Sequence, residues 1–298
     1  MLPRSMSRRS FLAASAALPI SAAKFSRPLG VQLYTVRQIL PKQPRETIAA
    51  LAKAGYAELE ISRADMRTIE PLLKEFRLDV PSGHFEAPLV TGNWEAWKPF
   101  LGDTVPKGYD WPRAVGDAKS WGLRYVVISY LMPSERGGLD SYRGFADKMN
   151  RAGEQAKAAG LTLCYHHHSF EFAPAGGGRP IDVLLERFDP KLVAFEGDVF
   201  WMKVGGEDPV AMLGRLKGRV PLIHLKDIAA GTKTNFNEMS VPPAAFREAG
   251  NGSLDFPAVL RACAEAGVKH YFVEQDHCEG SPLDSVARSY GYLRGVEL

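Results

Sequence analysis

From residue 28 onward, short apolar runs alternate with longer stretches of helical periodicity. The runs at 29–34, 57–61, 80–85, 125–129, 162–166, 193–197, 222–225 and 271–274 read as eight strands. Between them, helical segments often end in a small residue plus glycine, at Gly55, Gly122, Gly160 and Gly267. Each such glycine suits a left-handed helix C-cap, and a strand begins two or three residues later. Repetition of helix, glycine and strand predicts a parallel sheet with right-handed crossovers, and eight units predict closure into a (β/α)8 TIM barrel. No Gly-x-Gly-x-x-Gly follows the first strand, which argues against a dinucleotide-binding sheet. Two stretches exceed minimal units, 86–111 and 228–257, and in a barrel both would overhang the C-terminal face, as lids, substrate walls or plain surface loops.

Composition narrows this picture at the N-terminus. The 298 residues carry 37 Lys plus Arg against 34 Asp plus Glu, but Arg4, Arg8 and Arg9 precede residue 24 in a segment with no acidic residue, which leaves 34 of each sign beyond it. Residues 7–13 read Ser-Arg-Arg-Ser-Phe-Leu-Ala, and a short apolar run to Ile20 and the small residues 21–23 follow. About 10 apolar residues are too few to span a ~30 Å hydrocarbon core, so the segment reads as an export signal. Its twin arginine resembles a twin-arginine (Tat) signal. The expected organisation is a signal over 1–23 and one barrel domain over 24–298, exported to the periplasm or beyond. A charge-neutral remainder gives no argument for a nucleic-acid or membrane partner. Cys164, Cys263 and Cys278 cannot pair completely and lack metal-type spacing, which excludes a disulfide scaffold.

Polar residues gather at the predicted strand ends: Glu60, His84, His166, Asp198, His224 and Glu274. Five of the seven histidines, His84, His166, His167, His168 and His224, fall there or just beyond. A barrel mouth is an expensive place for ionisable groups unless they are paired or bind metal. Asp198, His224 and Glu274, from three successive strands, suit a divalent cation such as Mn²⁺, Zn²⁺, Co²⁺ or Mg²⁺. Side-chain alternation lets His166 and His168 share a face while His167 turns away. Glu60 is expected to hold a backbone or arginine partner, and His270 and His277 are given no role.

The segments 163–172 (Leu-Cys-Tyr-His-His-His-Ser-Phe-Glu-Phe), 197–201 (Gly-Asp-Val-Phe-Trp), 224–227 (His-Leu-Lys-Asp) and 273–276 (Val-Glu-Gln-Asp) resemble the sugar phosphate isomerase/epimerase group of xylose isomerase-like TIM barrels. Residues 31–37 and 82–85 match that group's first and third strand ends, so the resemblance covers essentially everything after residue 28. It implies a metal held by Glu171, Asp198, His224 and Glu274. Many relatives carry the first ligand on the fifth strand itself, where this chain has Tyr165-His166, so Glu171, His166 or His168 fills that place. Gln32, Tyr34, His84 and Trp201 are the implied substrate contacts. Trp201 stands where epimerases often carry histidine, and supplies an aromatic face for a sugar ring.

The implied chemistry is isomerisation or epimerisation of a small carbohydrate by proton abstraction alpha to a carbonyl, through an enediolate stabilised by the metal. Glu171 and Glu274 are candidate bases, His166 or His168 candidate proton shuttles, and Lys226 a stabiliser of oxyanion charge. Two other outcomes share these residues: elimination by a lyase or dehydratase acting on keto sugars or 3-keto-glycosides, and carbohydrate binding without catalysis. A homo-oligomer is compatible with all three.

Overall fold

A computed structural model describes residues 23–102 and 108–298. The signal expected over 1–23 therefore lies outside the described residues except for its last position, as does Pro106 of the 86–111 insertion.

Eight parallel strands close a barrel in the order β1 (Leu29–Gln32), β2 (Glu58–Ser62), β3 (Asp79–Phe85), β4 (Tyr125–Ile128), β5 (Thr162–His166), β6 (Val193–Asp198), β7 (Leu222–Leu225) and β10 (His270–Val273), which returns to β1. The (β/α)8 expectation is met. The helices outside are α1 (Pro44–Ala54), α2 (Met66–Phe76), α3 (Pro88–Thr91), α4 (Trp94–Leu101), α5 (Trp111–Ser120), α6 (Leu139–Ala158), α7 (Pro180–Arg187), α8 (Val199–Val204), α9 (Pro209–Arg215), α10 (Phe256–Ala266) and α11 (Pro282–Gly295). The first strand stops at Gln32, two residues short of expectation. Gln32 Oε1 accepts the Tyr34 N–H at 3.1 Å, which bends 33–36 into a 3-10 turn.

Alternation along the strands explains how a charged layer sits inside an apolar barrel. Tyr125, Val127, Cys164, Leu222 and Phe272 form a buried apolar floor. Two residues further along their strands, on the same face, Cys164 gives way to His166, Leu222 to His224 and Phe272 to Glu274. Ala194, packed against the floor, is followed at the same period by Glu196 and Asp198.

The 228–257 insertion is anchored rather than loose. It contributes β9 (Phe246–Arg247), which pairs antiparallel with β8 (Asp227–Ile228). Asp227 accepts five backbone N–H groups at 2.8–3.0 Å, from Ile228, Gly250, Gly252, Ser253 and Leu254. Gly252 must be glycine, because a methyl there would overlap Asp227 Oδ1 and Ile228 O. Asp227→Ala is expected to cost about 3 kcal/mol, since several buried donors lose their acceptor at ~1–3 kcal/mol each and water recovers part of this. The check is urea unfolding combined with amide exchange, which should accelerate first at 250–254.

Of the 86–111 insertion, α4 faces the barrel mouth. Trp97 Nε1 donates to Glu135 at 3.1 Å, and its ring packs edge-on against Tyr130, 6.3 Å between centroids. Trp111 instead turns outward, donating to the Ala152 carbonyl on α6. The tryptophans of this insertion thus divide between the mouth and the helical shell.

Candidate metal centre

Two groups of potential ligands lie one above the other in the mouth. The outer group is Asp198, His224 and Glu274, whose donor atoms all fall within 4.8 Å of one another. Asp198 ends β6 and caps α8, with Oδ1 accepting the N–H groups of Phe200 and Trp201 at 2.9 and 3.0 Å. Its own N–H is donated to His167 Nε2 at 3.3 Å, while His167 Nδ1 lies 3.3 Å from the His168 carbonyl. Burial holds His167 down to about 4, so it is neutral and acts as a fixed bracket behind Asp198. The result aims Asp198 Oδ2 at the centre of the mouth.

Lys226 fills the space between the carboxylates. Its Nζ lies 2.5 Å from Glu274, 2.7 Å from Asp276 and 3.1 Å from Asp198 Oδ2. Burial would lower this amine, but the three carboxylates hold it well above its ordinary value, and it is an ammonium. The same charge holds Asp198 and Glu274 below the usual carboxylate range against the opposing effect of burial. Carboxylates outnumber the ammonium here, and, against the effect of burial, Glu196, Glu274 and Glu60 hold the His224 ring well above its usual value, so the group attracts positive charge. Asp198 Oδ2 also makes no hydrogen bond although it is fully buried. The donor set and its charge therefore fit a divalent cation.

The inner group is His84, His166 and Glu196, with His224 reaching it through its second nitrogen. Glu196 Oε2 lies 2.8 Å from His84 Nε2, 3.1 Å from His166 Nδ1 and 3.4 Å from His224 Nε2. Glu60 closes this layer: Oε2 lies 2.5 Å from His224 Nε2 and accepts Gln32 Nε2 at 3.0 Å, while Ser82 donates to Oε1. The expectation for Glu60 is thus corrected. Its partners are histidines, a glutamine and a serine within the barrel, because residue 60 faces inward, where no arginine among the described residues pairs with it.

The remaining expected residues divide clearly. Glu171 does not join the outer group: Tyr165 Oη donates to one oxygen and the His168 N–H to the other at 2.9 Å. Burial raises its carboxyl to about 7, with those two donors offsetting part of the effect. His166 turns into the inner layer. His168 instead stands beside Trp201 and Tyr130, each 5.2 Å between ring centroids, and its buried Nδ1 has no hydrogen-bond partner. Burial, then Lys226, hold His168 well below its usual value, so it is a neutral imidazole. Trp201 is 3% exposed and boxed in by Phe200, Phe246 and His168, so its ring is largely covered. Tyr34 forms the rim at 44% exposure under the Arg37 guanidinium. His84 belongs to the inner layer, and Gln32 touches the mouth through Glu60. His270 pairs with Glu58 near the floor, and His277 packs on Phe246.

Burial alone would depress His84, but the Glu60 and Glu196 carboxylates raise it to about 10. The folded value exceeds the unfolded one, so in metal-free protein this histidine contributes stability fully present below pH ~6.5 and lost as pH rises through about 10. Urea unfolding from pH 6.5 to 10 with a chelator present should show that decline, and His84→Asn should flatten it.

Comparison with known proteins places this geometry. The profile described as xylose isomerase-like TIM barrel matches residues 109–295. An inosose dehydratase of Geobacillus thermodenitrificans is 32% identical over 278 residues, covering 84% of this chain and 88% of that protein. A crystal structure of a sugar phosphate isomerase/epimerase from Parabacteroides distasonis superposes with a TM-score of 0.71 at 25% identity, over 94% of this chain and 98% of that one. A xylose isomerase-like TIM barrel protein from Mycobacterium smegmatis, solved in complex with magnesium, shares the fold with a TM-score of 0.62 at 11% identity, over 90% of this chain and 96% of that one. The chain belongs to the xylose isomerase-like TIM barrel family.

Proposed function

We propose that this protein is a divalent-metal-dependent enzyme that removes a proton alpha to the carbonyl of a polyhydroxylated ketone, an inosose or keto sugar, and expels the β-hydroxyl as water. The observation that carries this reading is a neutral imidazole, His168, and an ammonium, Lys226, flanking Trp201 beside the Asp198–His224–Glu274 triad; Lys226 lies 5.4 Å and His168 5.2 Å from that ring. A dehydration needs one group that takes a proton and another that gives one to the departing hydroxyl. His168 is unprotonated and free at Nδ1 to accept the proton, and Lys226 can donate. Asp198, His224 and Glu274 would hold the cation, which when bound supplies Lewis-acid polarisation of the carbonyl. Glu274 and Asp276 take up the charge on Lys226 and position its Nζ. His167 and the α8 N–H groups fix Asp198, and the buried aromatic wall of Phe200, Trp201 and Phe246 excludes water. The 32% identity to an inosose dehydratase supports elimination.

Isomerisation or epimerisation is the second reading, favoured by the likeness to the Parabacteroides distasonis structure. Mass spectrometry of products from an inosose and from a ketose in deuterated water separates the two. Elimination gives a product lighter by one water with a new carbonyl–alkene absorbance. Epimerisation gives an isomer carrying one deuterium, and neither change in any polyhydroxy ketone would remove both readings. Export of the chain through residues 1–23 is part of the proposal, tested by sequencing the N-terminus of protein recovered from the periplasm.

A further inference from the structure

The inner layer has features that a hydrogen-bonded polar network lacks. Among buried side-chain atoms without a hydrogen-bond partner are His166 Nδ1 and Glu196 Oε1. His166 Nδ1 lies 3.1 Å from Glu196 Oε2 yet is not aligned to share a proton with it. Two atoms at that spacing which do not point at each other can both point at a third position between them. Tetrahedral zinc bound at ~2.0–2.1 Å sets its ligand atoms roughly 3.3 Å apart. Glu196 Oε2 is hydrogen-bonded to His84 Nε2 at 2.8 Å, and its separations from His166 and His224, at 3.1 and 3.4 Å, lie close to that figure.

We propose that His84 Nε2, His166 Nδ1 and Glu196 hold a second divalent cation, of the zinc class, one layer beneath the Asp198–His224–Glu274 triad. Three donors on β3, β5 and β6 converge, and the fourth place faces Glu60 and His224. Two imidazoles and one carboxylate suit zinc, cobalt or nickel in preference to magnesium. Glu60 stays an outer partner, because Gln32, Ser82 and His224 already occupy its oxygens. A His224 Nε2–H directed at Glu60 leaves Nδ1 as the lone-pair nitrogen facing Asp198 and Glu274, so Glu60 fixes the tautomer the outer position needs. This inner position does not depend on the reaction proposed above.

The test is metal content and anomalous scattering of the full chain, stripped by chelation and reloaded with zinc. Two equivalents are expected, with one peak at Asp198, His224 and Glu274 and a separate one among His84, His166 and Glu196. Glu196→Gln should lose the inner peak and keep the outer; Asp198→Asn should do the reverse. A single equivalent in the wild type with no peak among His84, His166 and Glu196 overturns the proposal, as does retention of both equivalents in Glu196→Gln. If that variant fails to fold, the wild-type map still decides. Loss of the outer peak alone would count against the proposed catalytic reading and leave this one standing.

Discussion

Asp198→Asn is expected to fold normally, to lose the outer cation and to lower kcat/KM at least about 10³-fold. Loss of several kcal/mol of Lewis-acid stabilisation is about tenfold for each 1.36 kcal/mol. The substitution is well suited to the question because the two oxygens of Asp198 do different things. Oδ1 caps α8 through Phe200 and Trp201, and an asparagine carbonyl can accept the same two N–H groups. Oδ2 faces Lys226 and the triad, and there an amide would present hydrogens to an ammonium and to a cation. Circular dichroism and the unfolding midpoint should stay close to wild type, while metal content and turnover fall together. Glu274→Gln should behave alike in activity, with a larger loss of stability because Lys226 and His224 both use Oε2.

Lys226→Met is expected to be the most destabilising single change in the mouth when metal is absent. The residue is 1% exposed, and its removal leaves Asp198, Glu274 and Asp276 facing one another without the ammonium that lies between them. Removing one partner of a buried ion pair typically costs ~3–5 kcal/mol. A divalent cation should return part of that loss, by binding the folded state alone. Urea unfolding of the variant with chelator and with manganese measures both effects. A change below about 1 kcal/mol in chelator would mean that the carboxylates take up protons or spread apart instead.

Much of the fold was legible in the sequence, because a parallel barrel buries both faces of each strand and so writes them as apolar runs closed off by glycine-capped helices. The end of β1 was not, because it depends on the Gln32 side chain folding back onto the Tyr34 N–H. The outer triad was visible as three polar residues ending three successive strands. Glu196 was missed although a signal existed: it is a single carboxylate inside an apolar strand, two residues before Asp198, and so on the same face. Glu60 carries the same mark between Leu59 and Ile61. The anchoring role of Asp227 was hidden for a different reason, since four of its five donors lie more than 20 residues away. Glu171 shows the limit of motif spacing. Its distance along the chain fits a ligand, but a short 3-10 turn at Phe170–Phe172 directs its carboxylate to Tyr165 and the His168 N–H.

The central claim is that a cation at Asp198, His224 and Glu274 enables removal of a proton alpha to a carbonyl. Proton NMR of an inosose in deuterated water follows the alpha hydrogen directly, whichever product forms. Metal-loaded wild type should wash out or eliminate that hydrogen, and chelated wild type and Asp198→Asn should leave it intact over the same interval. Loss of the alpha hydrogen at an undiminished rate in the chelated protein would contradict the account.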